Sequence, residues 1–431
     1  MLFFYICAKI KTLKRDIMLK KLLLLNLLFG CSIFTFAQLQ KNVLNLATND
    51  LVYDSVSNKI YATVPSANGA NGNSIAVINP NTYQLENTIF IGSEPTVLAI
   101  SDDGQYIYTG FSGSSTVRRF NVATQTASIQ FSLGTDNSTG SYYVEDIEVM
   151  PGQPTTIAIA RKNNGYSPRH EGVAIYDNAV MRPTTTPDHT GSNRIEFTGP
   201  NTLIGYNNES TEYGIRKLSV NSLGVTNLNV TQSVLSNFYL DFIYKDNYMY
   251  SFDGKVVDVS ATPFVIGQFT NATGPVVYDS YYNRVCFASF ESNGTITFKR
   301  YNPNTFLLFD SLVITQATGP VKNIITCGNG CYAFNTSDNK VVFLKDSTLG
   351  TPEIVANNNI NVYPNPATDF LYIQSDFKIL NVTISDLNGR TLKNVEFDEN
   401  KVNINHLQSG IYLAQLVDIN GKVVTKKIIK K

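Results

Sequence analysis

The sequence has no tryptophan, only three histidines and only five cysteines, and charged residues make up 16% of it. Lys+Arg and Asp+Glu balance at 34 each, so there is neither a basic field to hold nucleic acid nor an acidic tail. So few histidines leave little material for a His-rich metal centre. No stretch resembles a nucleophile elbow, a zincin helix or a phosphate loop, and no cofactor is expected. Beyond the first 37 residues no segment approaches the roughly 20 apolar residues of a membrane span.

What is present is 24 Tyr and 25 Phe among Val, Ile, Thr, Asn and Gly, a composition suited to half-buried strands joined by tight turns. A chain of 431 residues has room for a large core and a smaller module. From Met18 the chain reads MLKKLLLLNLLFGCSIFTFAQ: two lysines, an apolar run, then Thr35-Phe36-Ala37 before Gln38. That is a secretory leader over residues 1–37, with Met18 as an alternative start. A lipoprotein signal ending at Cys31 is the competing reading, disfavoured by the apolar run past Cys31 and the bulk of Phe29.

The middle of the chain repeats itself. LVYDSVSNKIYATV (51–64), LAISDDGQYIYTGF (98–111), VVYDSYYNRVCFASF (276–290) and NIITCGNGCYAFN (323–335) each read strand, polar turn, strand. An alternating strand follows each, and the turn Asn79-Pro80-Asn81-Thr82 returns as Asn302-Pro303-Asn304-Thr305. Periods of 40 to 50 residues built from four short strands predict propeller blades. They fall near 48–92, 93–134, 142–187, 192–232, 236–270, 274–315 and 319–346. Six or eight blades follow if the weak fourth or fifth pattern divides differently. The seventh has three strands of its own, and the segment 41–47 is available to complete it and close the ring.

SDDGQYIYTG (101–110) and the link VINPNTYQLENTIFIGSEPTVLAIS (77–101) are similar to YVTN-type, lactonase-like seven-bladed β-propellers. The resemblance covers about residues 41–346, most clearly blades 1, 2 and 6, of a propeller domain expected over 38–346, and implies fold more than activity. Some propellers of this kind capture nutrients such as corrinoids at the cell surface.

After a Thr, Gly, Pro and Asn-rich linker at 347–359, residues 360–431 alternate in short strands with Asn388-Gly389 and Asn420-Gly421 as turns, the pattern of a small Ig-like β-sandwich. Four ordered pieces, namely Tyr363-Pro364-Asn365-Pro366, the turn at Gly389, the Ser-Gly turn at Gly410 and the basic end at Lys430 and Lys431, resemble the C-terminal sorting domain of the type IX (Por) secretion system of Bacteroidetes. The resemblance implies the secretion machinery as a partner, an extracellular or outer-surface destination, and release or attachment to surface lipopolysaccharide. Taken singly, each piece also reads as structure: prolines at a strand entry, glycines at turns, lysines on a solvated edge.

Candidate chemistry concentrates in three places. Cys327 and Cys331 flank a Gly-Asn-Gly turn in an exported chain, which favours a disulfide over metal, while Cys286 reads as a core residue. The loops at 162–171 and 182–194 emerge on the same side of a propeller, so Arg161, Arg169, His170, Glu171, Asp188 and His189 are candidate ligand-binding residues on a face of long loops. Asp146, Glu148, Glu196 and Asp241, on first strands, are candidates to line the central channel. Two functions fit: a binding protein holding a small ligand, glycan or protein on the long-loop face, or a lactonase-like hydrolase using the channel acids. His406 in the tail reads as a turn residue.

Overall fold

The computed structural model describes residues 39–346 and, within 361–431, all except 376–377, 387–389, 393–395, 399 and 419–422. The leader, the linker and the turns at Gly389 and Gly421 expected from the sequence lie outside the described residues. The chain divides into two units, one up to Ser347 and one from Thr348.

The first unit holds seven antiparallel sheets, six with four strands and one, in blade 3, with five. Their innermost strands are Leu51–Asp54, Pro95–Ile100, Gly140–Val149, Arg194–Gly199, Phe242–Lys245, Val276–Asp279 and Val321–Thr326. Each packs against the next, and Val321–Thr326 packs back on Leu51–Asp54, so the ring closes at seven blades. The last sheet takes its outer strand from the front of the chain: Leu39–Asn45 pairs with Lys340–Asp346 from Leu39↔Asp346 to Asn45↔Lys340. This join removes the free sheet edges an open array would expose.

The repeated sequences repeat their hydrogen bonds. Asp54 Oδ1 accepts from Val56 N (3.0 Å), as Asp279 Oδ1 does from Tyr281 N (2.8 Å). Asn79 and Asn302 accept from the amides of Asn81 and Asn304 at 2.9 Å, each as an Asx turn. Both Asn-Pro-Asn-Thr turns end on an aromatic residue in left-handed backbone, Tyr83 (φ 61) and Phe306 (φ 58). That conformation is costly for a bulky residue. Packing across the blade boundary offsets it: Tyr83 lies 5.3 Å from Phe343, and Phe306 5.5 Å from Phe269. The core is a series of such inter-blade layers, for example Phe298, Tyr332, Phe334 and Leu344, all buried.

The second unit is a sandwich of two sheets. One holds Asn361–Tyr363, Phe370–Gln374, Lys401–Asn403 and Glu396–Asp398, the other Ile379–Asp386, Gly410–Asp418 and Val423–Lys430. Alternate apolar residues, Leu371 and Ile373 from one sheet with Ile384, Leu416 and Ile428 from the other, fill the space between. The two ends of this module are tied. Asn365 donates to the Lys427 carbonyl and accepts from Ile429 N, both at 2.8 Å. Ala367 exchanges backbone hydrogen bonds with Ile429 and Lys431, also at 2.8 Å. Tyr363 stacks on Tyr372 at 6.0 Å while Pro364 and Pro366 stay exposed. Gly410 opens its strand opposite Lys430, and His406 is an exposed turn residue.

Candidate functional site

The innermost strands surround a cavity of about 510 Å³, whose lining includes five carboxylates, Asp50, Asp146, Glu148, Glu196 and Asp241, and two cations, Arg194 and Lys322. All four acids expected in the channel line it. Two of the five carboxylates are anchored by a shared device: an acid on one inner strand, or just before it, accepts an amide of the next blade's inner strand. Asp50 accepts from Leu98 N, and Asp146 from Ile195 N, both at 2.8 Å. Asp50 is held also by Leu51 N at 2.8 Å and the Asn323 amide at 2.5 Å. Burial pushes the Asp50 carboxyl up to about 6 despite these bonds. Burial likewise raises Asp146 to about 7, against the pull of Arg194.

Deeper in, Glu148 and Glu196 are both held well above the usual carboxylate range, first by burial, then by neighbouring carboxylates. No protein hydrogen bond or ion pair reaches the Glu148 carboxylate among the described residues. Lys322 bonds the Thr48 carbonyl at 2.7 Å, and burial lowers its pKa.

At the mouth the charges neutralise one another. The inner strand of blade 3 carries a bulge between Val144 and Asp146, so Glu145 is the extra residue and its side chain is re-aimed. Buried Glu145 meets Lys162 at 2.7 Å, Arg194 at 3.6 Å and Arg169 at 3.7 Å. Burial opposes its ionised form, yet Arg194, Lys162 and Arg169 together hold its carboxyl below the usual range. Arg169 pairs also with Glu209, and Arg194 Nε lies 3.3 Å from Asp241. A continuous chain of charge therefore runs from Glu209 through Arg169, Glu145 and Arg194 into the channel.

The six loop candidates separate. Only Arg169 belongs to that chain. Residues 162–171 are not one loop: Arg161 lies in the strand Thr156–Asn163, and His170 and Glu171 begin the strand His170–Asp177. Alternation continues into the polar residues at both ends, which hid these strands behind their composition. Arg161 is buried, with its guanidinium 5.3 Å from the Tyr142 ring, and buried Glu171 accepts from the Tyr166 hydroxyl. His170 is 0% exposed with neither ring nitrogen hydrogen-bonded. Burial and the nearby Arg216 and Arg161 push it down to about 3, so it is neutral. Asp188 and His189 are exposed on the link between blades 3 and 4.

Sequence reasoning missed Asp50, Glu145, Arg194, Glu209, Lys322 and the aromatic group near Arg169. Tyr213 and Phe238 pack edge to face at 5.1 Å, and Tyr239 stands 78% exposed in left-handed backbone (φ 56). The adjacent acids of VEDIEV were the available signal, since Glu145-Asp146 breaks a two-residue alternation and so marks a bulge. Cys327 and Cys331 form a disulfide with Cα atoms 4.9 Å apart, and Cys286 is a buried free thiol. Among the described residues no group of three or more His, Cys, Asp or Glu is placed to hold a metal ion.

The seven closed blades and the sandwich that follows them in the chain define a class, a β-propeller protein with a small C-terminal β module. Residues 361–431 match the family described as a secretion system C-terminal sorting domain. That tail marks the chain for export by type IX secretion to the cell surface or extracellular space, with the secretion machinery as its partner. Among solved structures, Kuenenia stuttgartiensis hydrazine synthase is similar at 12% identity and a TM-score of 0.54, covering 71% of this chain and 97% of that one. The β-propeller domain of Myceliophthora thermophila Cps50 (Swd1) is similar at 10% identity and a TM-score of 0.54, covering 72% and 99%. At these identities the likeness is one of fold. Comparison with curated proteins finds no match. No helix among the described residues is long and apolar enough to cross a membrane.

Proposed function

We propose that this protein is an exported binding propeller, of YVTN-like repeat type, that captures a small hydroxylated ligand or glycan at the long-loop mouth of its channel. The observation that carries the reading is Tyr239, a bulky residue held exposed in left-handed backbone near Arg169, whose ion pairs lead through Glu145 and Arg194 to the channel. Such strain persists where the surroundings enforce it, and it concentrates at ligand clamps. An aromatic face next to a few fixed polar groups is the usual make-up of a small-molecule site. Arg169, Glu145 and Arg194 are already paired, so they serve as an oriented polar rim. Attachment of the exported protein to surface lipopolysaccharide fits the same role.

The second reading, a hydrolase, is favoured by Glu148 and Glu196. Two carboxyls in one cavity, both raised, are suited to hold and pass a proton.

A glycan array probed with the full exported chain tests the first reading. Binding to a defined glycan, weakened at least about tenfold by Tyr239→Ala and by Arg169→Ala, is the expected result. Undiminished binding by both variants would remove the mouth as the site.

A further inference from the structure

The opposite, short-turn face carries a separate cavity of about 260 Å³ in the cleft between blades 5 and 6. Two turns frame it. On blade 5, Asp246 and Asn247 are both left-handed (φ 50 and 71), which short polar residues tolerate. On blade 6 the Asn302-Pro303-Asn304-Thr305 turn delivers Phe306, seated over Gly267 so closely that a Cβ there would come within 2.3 Å of the ring. The floor is Tyr250, only 4% exposed. The rings of Tyr248 and Tyr278 stand 6.4 and 5.6 Å from it, at interplanar angles of 67° and 53°. The lining therefore presents aromatic rings in crossed orientations.

Asp246 is the one charged residue lining this cleft among the described residues. After burial and the neighbouring phenols, its charge is among the causes that raise the Tyr250 hydroxyl pKa, and after burial it raises Tyr278, so the carboxylate is close to both. No protein group hydrogen-bonds the Tyr248 or Tyr250 hydroxyl among the described residues. Lys245 approaches Asp246 at 3.5 Å from outside the cleft, an exposed pair of the weak kind. Crossed rings around an acid, with no base in the lining, are complementary to an organic cation and poorly matched to a neutral sugar.

We propose that this cleft binds a methylated ammonium group, with Tyr248, Tyr278 and Phe306 packing on its methyls and Asp246 supplying the counter-charge. The site is independent of the channel mouth, and so of the function proposed above. Free choline and phosphocholine lipids carry the same group.

Isothermal titration calorimetry of the full exported protein reads binding directly, because tyrosine fluorescence would sum over all 24 tyrosines of the chain. Choline chloride and tetramethylammonium should give a saturable change, and the neutral isostere 3,3-dimethylbutan-1-ol should bind at least about tenfold more weakly. Asp246→Asn should weaken choline about tenfold, and Tyr248→Ala likewise, with the melting temperature held as the check on folding. Pelleting with phosphatidylcholine vesicles, reversed by free choline, would assign the lipid as source; choline binding without pelleting would assign the free cation. Equal binding of the neutral isostere, saturation by glucose alone, an unchanged Asp246→Asn variant, or no saturable response to either cation would overturn the proposal.

Discussion

His170 predicts a specific acid sensitivity. Its ring is 0% exposed, has no hydrogen-bond partner at either nitrogen, and lies near the cations Arg216 and Arg161. Its pKa is pushed from the ordinary 6.5 down to about 3 in the fold, so between these values the unfolded chain binds a proton that the folded chain refuses. Stability from this group is fully present above pH 6.5 and is lost as pH falls toward 3. At 1.36 kcal/mol per pH unit, the loss at pH 5 is about 2 kcal/mol. The ring sits against Gly191, where a Cβ would fall 2.1 Å from Nε2, so His170→Gln carries a packing cost of its own that does not depend on pH. Urea unfolding of both proteins at pH 7.5 and pH 5 separates the two effects, because every other titrating group is common to both. The wild type should lose about 2 kcal/mol relative to the variant over that interval. Parallel losses would mean that His170 protonates freely, or that a buried water or ion stabilises its charged form.

The channel acids act in the opposite sense: Asp146 is raised to about 7 in the fold, so its destabilisation is complete above that pH and relieved as pH falls toward 3.8. Asp146→Asn should therefore abolish a gain of about 1–3 kcal/mol between pH 7.5 and 5, discounted for water in the channel, and an unchanged pH profile would refute this. Tyr239→Ala should leave the unfolding free energy, measured in urea, within about 0.5 kcal/mol of the wild type, since a side chain 78% exposed contributes little packing; a large destabilisation would make Tyr239 structural. Replacing Cys327 and Cys331 by Ala should cost about 2 kcal/mol, the loop-entropy value for so short a loop, measured as the difference in urea unfolding. Deleting 360–431 should leave a folded propeller retained inside the outer membrane, and normal surface delivery of that deletion would refute the role of the tail.

The blades were readable because repetition supplies its own alignment. Asp54 with Asp279, and Asn79 with Asn302, recur in sequence and make the same turns in space. Closure by Leu39–Asn45 was readable because a three-strand blade and a spare strand imply each other. The tail was readable because its motifs are ordered, and Asn365 shows one physical reason for that order: the first motif is tied to the last strand. The site was less readable. Asp146, Glu148, Glu196 and Asp241 follow from strand alternation on first strands, whereas Glu145 depends on a bulge and Arg194 on a neighbour 49 residues away. Loop composition concealed the opposite behaviour of adjacent residues, with Arg169 at the mouth and His170 sealed within a sheet. The aromatic cleft on the short-turn face gave no signal, because Tyr248, Tyr278 and Phe306 each read as ordinary strand or turn residues until the ring brought them together.

The mouth of the channel is proposed to hold a ligand without transforming it. The direct measurement is to incubate the full exported chain with any ligand that raises its melting temperature, and then analyse that ligand by mass spectrometry. Recovery of the ligand unchanged, with the stabilisation lost in Tyr239→Ala, is the expected result. Conversion of the ligand at a rate abolished by Glu148→Gln or Glu196→Gln would contradict it and make the channel an active site.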